Sequence, residues 1–208
     1  AYKKKLTGRE WDYDFRRLFY TWSRDITIGK FHEWVEIASR DETCGWIRPC
    51  DLWVAEDGRA HILWTERALD ERLRPEFFPT ATQSHALNYA NVQDGRVVRK
   101  RTLLLAEEDN GQETAGCARF QLTEENRLCV FYYVNGTGRD GREISENRLL
   151  EIHADGSVGA SVPVPLQRPF VNYFTATVRA GSPASRVLDL LGLQSGLRNT
   201  ISYARVRL

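Results

Sequence analysis

The chain has 208 residues, 42% of them hydrophobic, with 6 Trp, 8 Tyr and 9 Phe, enough apolar mass for a sizeable core in one domain over residues 1–208. Its formal net charge is +1, and Lys3-Lys4-Lys5 and Arg99-Lys100-Arg101 are only short clusters, so no electrostatic argument selects nucleic acid or an anionic membrane as partner. No apolar run approaches the roughly 20 residues needed to cross a bilayer.

Met is absent and the first residue is Ala1, so a processed chain or a fragment is expected, with no signal peptide. Residues 1–14 are expected to add a strand to the first sheet. Leu18 to Trp22 then alternates as a strand, and Ser23 to Trp34 reads as a long turn before its partner. Cys44 and Cys50 flank a Gly-Trp-Ile-Arg-Pro loop carrying Trp46. That spacing allows a small disulfide ring, with free thiols as the expected alternative. No C-x-x-C pair is present, so no zinc site is expected. Cys129 falls at a core position of its strand.

From Asp51 onward the chain repeats itself. Residues 51–64 (DLWVAEDGRAHILW) align with 119–132 (RFQLTEENRLCVFY) without a gap, Asp57-Gly58 falling on Glu125-Asn126. Each copy reads as strand, tight turn, strand, because Gly accepts a positive φ without steric cost. Residues 65–77 are charged and end before Pro79, an excursion with one or two helical turns. Residues 87–97 and 148–158 form a second pair of copies whose Asp94-Gly95 and Asp155-Gly156 turns coincide. Gly136 to Gly141 looks like a phosphate loop but has no helix after it, so it reads as a long hairpin turn. Residues 174–191 read as two strands around Gly181-Ser182-Pro183, and Ile201 to Arg205 as a third.

The resulting order is third-fourth, two complete sets of four, then first-second-third. Repeated four-stranded antiparallel units rich in aromatics predict an all-β protein of β-propeller blades, about three to four in this chain. Because the order starts inside a unit, the C-terminal part of a larger propeller is expected over a small closed ring.

The segment Ser23-Arg-Asp25-Ile-Thr-Ile-Gly29-Lys-Phe-His-Glu-Trp34 resembles a stretched Ser-x-Asp-x-Gly-x-x-Trp box of the sialidase-like, Asp-box (BNR) repeat propellers. Ser84-His85-Ala-Leu-Asn-Tyr89 with Val92-Gln-Asp-Gly95 is most similar to the members that include ulvan-type polysaccharide lyases. The resemblance implies an extracellular or environmental polysaccharide as partner, lyase or glycosidase chemistry, no cofactor, and a secreted or periplasmic location. It implies a box whose Ser and Asp hold the turn while Trp34 plugs between sheets. It also implies catalytic roles for His85 and Tyr89, with an arginine that neutralises a uronate. A non-catalytic propeller binding a glycan or protein partner is the alternative.

Read from the residues themselves, His85 follows a loop and opens a strand, where a neutral imidazole can take a proton beside a carboxylate or give one to a leaving sugar oxygen. Tyr89 recurs as Tyr20 and Tyr203, which points to packing, since one active site needs one copy. Glu66, Arg67, Asn147 and Arg148 lie at strand ends. Arg119 matches Asp51 in the repeat, and the two are expected to meet near the axis, either bridging blades or holding a sugar. Trp46 is the candidate stacking platform. Arg168, Asn172 and Arg179 are weaker candidates of the same kind. His61 is expected to be structural, His32 and His153 exposed, and Trp22, Trp53 and Trp64 core.

Overall fold

The computed structural model describes residues 2–9, 14–108, 110, 113–138, 140–176, 182–197 and 199–208. It is all-β, with four antiparallel sheets in chain order. The first pairs β1 (Arg17–Tyr20) with β2 (Val35–Ser39). The second is the meander β3 (Cys44–Val54), β4 (Ala60–Leu69), β5 (Ser84–Gln93) and β6 (Arg96–Glu107). The third repeats that meander with β7 (Thr114–Leu122), β8 (Leu128–Thr137), β9 (Glu143–Ile152) and β10 (Val162–Val164). The fourth has β11 (Phe170–Thr175), β12 (Val187–Gln194) and β13 (Ser202–Arg207). The strand counts are those of the expected third-fourth, four, four, first-second-third order. None of these sheets closes on itself among the described residues.

The sheets stack in sequence around three cores. Leu18, Val35 and Ile37 of the first sheet pack on Ile47, Ile62 and Trp64 of the second. Leu63, Leu87 and Tyr89 on the second sheet's other face meet Phe120, Val130 and Tyr132 of the third. Phe131 and Leu149 on the far face of the third meet Phe170, Tyr173, Leu188 and Leu190 of the fourth. This explains why β8 carries an unbroken apolar run, Leu128 to Val134, and why β4 is buried residue after residue from Ala60 to Glu66: both faces of each strand are covered. Their alternation sends odd and even residues to different neighbouring sheets.

First strands bridge the sheets. Arg119 on β7 donates to the Cys50 carbonyl on β3, and the Phe120 N–H donates to the Asp51 carboxylate at 2.7 Å. The Tyr173 hydroxyl of β11 donates to the Cys117 carbonyl of β7 at 2.9 Å.

The connections differ between the two rims. One rim carries tight turns, such as Asp94-Gly95, where both residues have positive φ (49° and 74°), as a type I′ hairpin requires. The other rim carries the long connection over residues 70–83 and the crossings from sheet to sheet.

Several local expectations are corrected. Within residues 1–14, Tyr2–Thr7 form a helix, α1, where a strand was expected, and residues 1 and 10–13 lie outside the described residues; the run of lysines favours helix and lacks a two-residue alternation. Thr65 to Leu69 continues β4, and helix is confined to α2 (Arg74–Phe77). Cys44, Trp46 and Cys50 lie in β3 rather than a loop. An extended strand separates two cysteines six residues apart by about 20 Å, far beyond disulfide reach. All four cysteines are free thiols. In the box segment, Asp25 Oδ1 accepts from the Thr27 N–H at 2.8 Å, and Ser23 donates to the Asp25 carbonyl at 2.9 Å, so Ser and Asp do hold the turn. Trp34 does not plug between sheets: it is 69% exposed, set edge-on to Phe19.

Candidate functional site

The candidate residues separate by strand parity. On β4, Ile62 and Trp64 face the first sheet and Leu63 faces the third. Glu66 therefore faces the first sheet, and Arg67 the third. Glu66 is buried, pairs with Arg40 at 2.6 Å and accepts from the Trp64 indole at 3.0 Å, joining the first two sheets.

Arg67 stands in a different setting. The register pairs Trp46 with Arg67, and Arg67 with His85. Trp46 neighbours Ile47, which faces the first sheet, so Trp46 shares the opposite face with Arg67 and His85. Indole, guanidinium and imidazole thus form one cross-strand row at the long-loop rim, neighbours about 5 Å apart at Cβ. The Arg67 side chain makes no hydrogen bond or ion pair among the described residues, and its Nε is buried without a partner. An unpaired, partly buried cation is costly to keep, and an anion beside it would offset that cost.

His85 is half-buried beside it. Burial, then the Arg67 charge, lower its pKa, while Glu71 opposes them. The imidazole is therefore neutral near neutral pH, in the form that accepts a proton. Its position is held through Gln83, buried one residue before β5. The Gln83 side chain donates to the Leu69 carbonyl at 3.0 Å and to Glu71 at 2.8 Å, and accepts from the Leu69 N–H at 3.2 Å. This pins the long connection against the ends of β4 and β5.

The remaining candidates are not brought to this row. Tyr89 is 1% exposed, four residues and about 13 Å along β5 from His85, and its hydroxyl is 2.8 Å from His61 Nδ1. Asn147 is buried and clamps Phe170 by both backbone groups, at 2.7 and 2.9 Å. Arg148 is held between Glu113 and Glu146, each at 2.6 Å. Arg119 and Asp51 each tie β3 to β7 through backbone partners, the Cys50 carbonyl and the Phe120 N–H, and Arg119 also lies over the Phe174 ring. Arg168 and Asn172 are exposed, and Arg179 lies outside the described residues.

Sequence reasoning missed the isolation of Arg67, which depends on what the neighbouring sheet fails to supply. It also missed the His61–Tyr89 pair, on neighbouring strands and 28 positions apart. Among the described residues no cluster of three or more His, Cys, Asp or Glu could hold a metal ion. No family model, curated protein or solved structure matches the chain.

Proposed function

We propose that this chain is a run of blades of a sialidase-like (BNR-repeat) β-propeller that acts on an acidic extracellular polysaccharide by lyase chemistry, with Trp46, Arg67 and His85 as its working row. The observation that carries the reading is the unpaired Arg67 guanidinium flanked by a neutral imidazole and an indole. A guanidinium fork fits a carboxylate, so a uronate would supply the missing partner. With that charge neutralised, His85 takes the proton on the carbon next to the carboxylate. The electrons form the ring double bond, the bond to the leaving glycosidic oxygen breaks, and the imidazolium returns its proton to that oxygen. Trp46 supplies the apolar face for the sugar ring.

Three features support the propeller part. The sheets are successive meanders, they stack face to face, and their first strands β3, β7 and β11 neighbour one another. The outer faces of the first and last sheets each expose large apolar side chains, Phe19 and Trp34 on one, and the cross-strand row Phe174, Leu191 and Tyr203 on the other. These are faces against which further blades of a larger ring would pack.

The test is incubation with polyuronates of different composition, reading the ultraviolet absorbance of an unsaturated uronate product. Arg67→Gln and His85→Ala should each remove it. Release of reducing sugar without that absorbance would replace elimination by hydrolysis. Unaltered product formation in both variants would sink the assignment of the row.

A further inference from the structure

The opposite, tight-turn rim carries a second site. A cleft of about 470 Å³ opens there between the second and third sheets. That volume is within the range of small-ligand clefts, roughly 300–1,000 Å³. Another cross-strand row lines it: Trp53 pairs with His61, His61 with Asn91, and Asn91 with Arg99. This row lies about 20 Å along β5 from His85, so the two sites are separate.

The row holds polar groups that the fold does not use. Asn91 is 5% exposed, lines the cleft, and its side-chain oxygen is buried with no partner. His61 bonds Tyr89 through Nδ1, and no protein partner engages Nε2 among the described residues. Arg99 reaches across to the third sheet and lies so close over Gly156 that a Cβ there would overlap its guanidinium. A buried amide oxygen without a partner is costly to keep, and a ligand hydroxyl would relieve it. Trp53 lies over the His61 ring, with centroids 4.7 Å apart, and lines the same space.

Charge identifies the ligand class. The guanidiniums of Arg59 and Arg99 are balanced in the cleft wall by Glu56 and Asp57, and Arg59 is already engaged by Gln93 and Asp57. The cleft therefore selects neither an anion nor a cation. It offers acceptors, donors and an indole edge, the complement of a ring rich in hydroxyls. We infer that this cleft binds a neutral sugar of one or two rings, independently of the acidic-sugar row at the other rim.

The test is calorimetric titration of the full chain with the methyl glycosides of glucose, galactose, mannose and xylose and with their common disaccharides. At least one should bind at millimolar concentration. Asn91→Leu should weaken it about tenfold or more, with an unchanged far-ultraviolet circular dichroism spectrum confirming that the variant is folded. Arg99→Gln, on a partly exposed strand, should weaken it as well. His85→Ala should leave binding unchanged, which separates this site from the proposed lyase row. Absence of binding by every sugar, or affinity within twofold of the parent in both Asn91→Leu and Arg99→Gln, would overturn the inference.

Discussion

His61 offers a stability test whose size follows from its surroundings. Burial, then the Arg59 charge, lower its pKa from 6.5 to about 4, with Asp57 opposing. The native state therefore holds this imidazole neutral, whereas the unfolded chain binds a proton below about pH 6.5. Since the unfolded state binds more protons there, stability is complete above that pH and is lost as the pH falls towards about 4. A shift of this size corresponds to roughly 3 kcal/mol over the whole window, of which about 2 kcal/mol falls between about pH 7.5 and about pH 5. Carboxylates whose pKa the fold lowers, such as Glu108 and Asp189, titrate mainly below that interval. His61→Gln keeps a neutral hydrogen-bonding partner for the Tyr89 hydroxyl and removes the titration. Urea unfolding of both proteins at the two pH values isolates the effect, because His85 and the other titrating groups are common to both. The parent should lose about 2 kcal/mol more than the variant on acidification. Equal losses in the two proteins would show that His61 is accessible and titrates normally, and would refute the account of its buried bond to Tyr89.

Asn147→Ala should cost about 2–4 kcal/mol in urea unfolding, since it leaves the buried Phe170 N–H and carbonyl both unpaired; a loss under 1 kcal/mol would show that the clamp adds little. Gly156→Ala should lower stability by about 1–2 kcal/mol, because φ is +77° and the new Cβ would meet the Arg99 guanidinium, and Gly156→Ala combined with Arg99→Ala should recover part of that loss. Arg67→Gln should leave the urea midpoint unchanged or raise it, since it removes a half-buried charge that has no partner, whereas a clear loss of stability would show a structural ion pair at that position.

Much of the strand order was readable in the chain itself. The gapless match of residues 51–64 to 119–132 places two hairpins, and these are β3–β4 and β7–β8. The Asp-Gly turns at 94–95 and 155–156 mark the next strand pairs, because turn chemistry is local and a positive φ favours few residues. Asp25 holds its turn for the same reason.

Where a residue's role depends on the facing sheet, sequence offered only candidates. Glu66 and Arg67 are adjacent in sequence, yet one is locked to Arg40 and the other has no partner, because neighbouring strand residues point to different sheets. Trp46, between two cysteines, read as a loop residue until β3 proved to run through all three. Tyr89 looked like the companion of His85; register gave it to His61 and set Arg67 and Trp46 beside His85 instead. The sequence by itself determined an all-β chain of repeated antiparallel meanders, since alternation and turns act over a few residues. Only the tertiary structure decided which imidazole, guanidinium and indole share a face, since that depends on strand register and on what the next sheet provides or withholds.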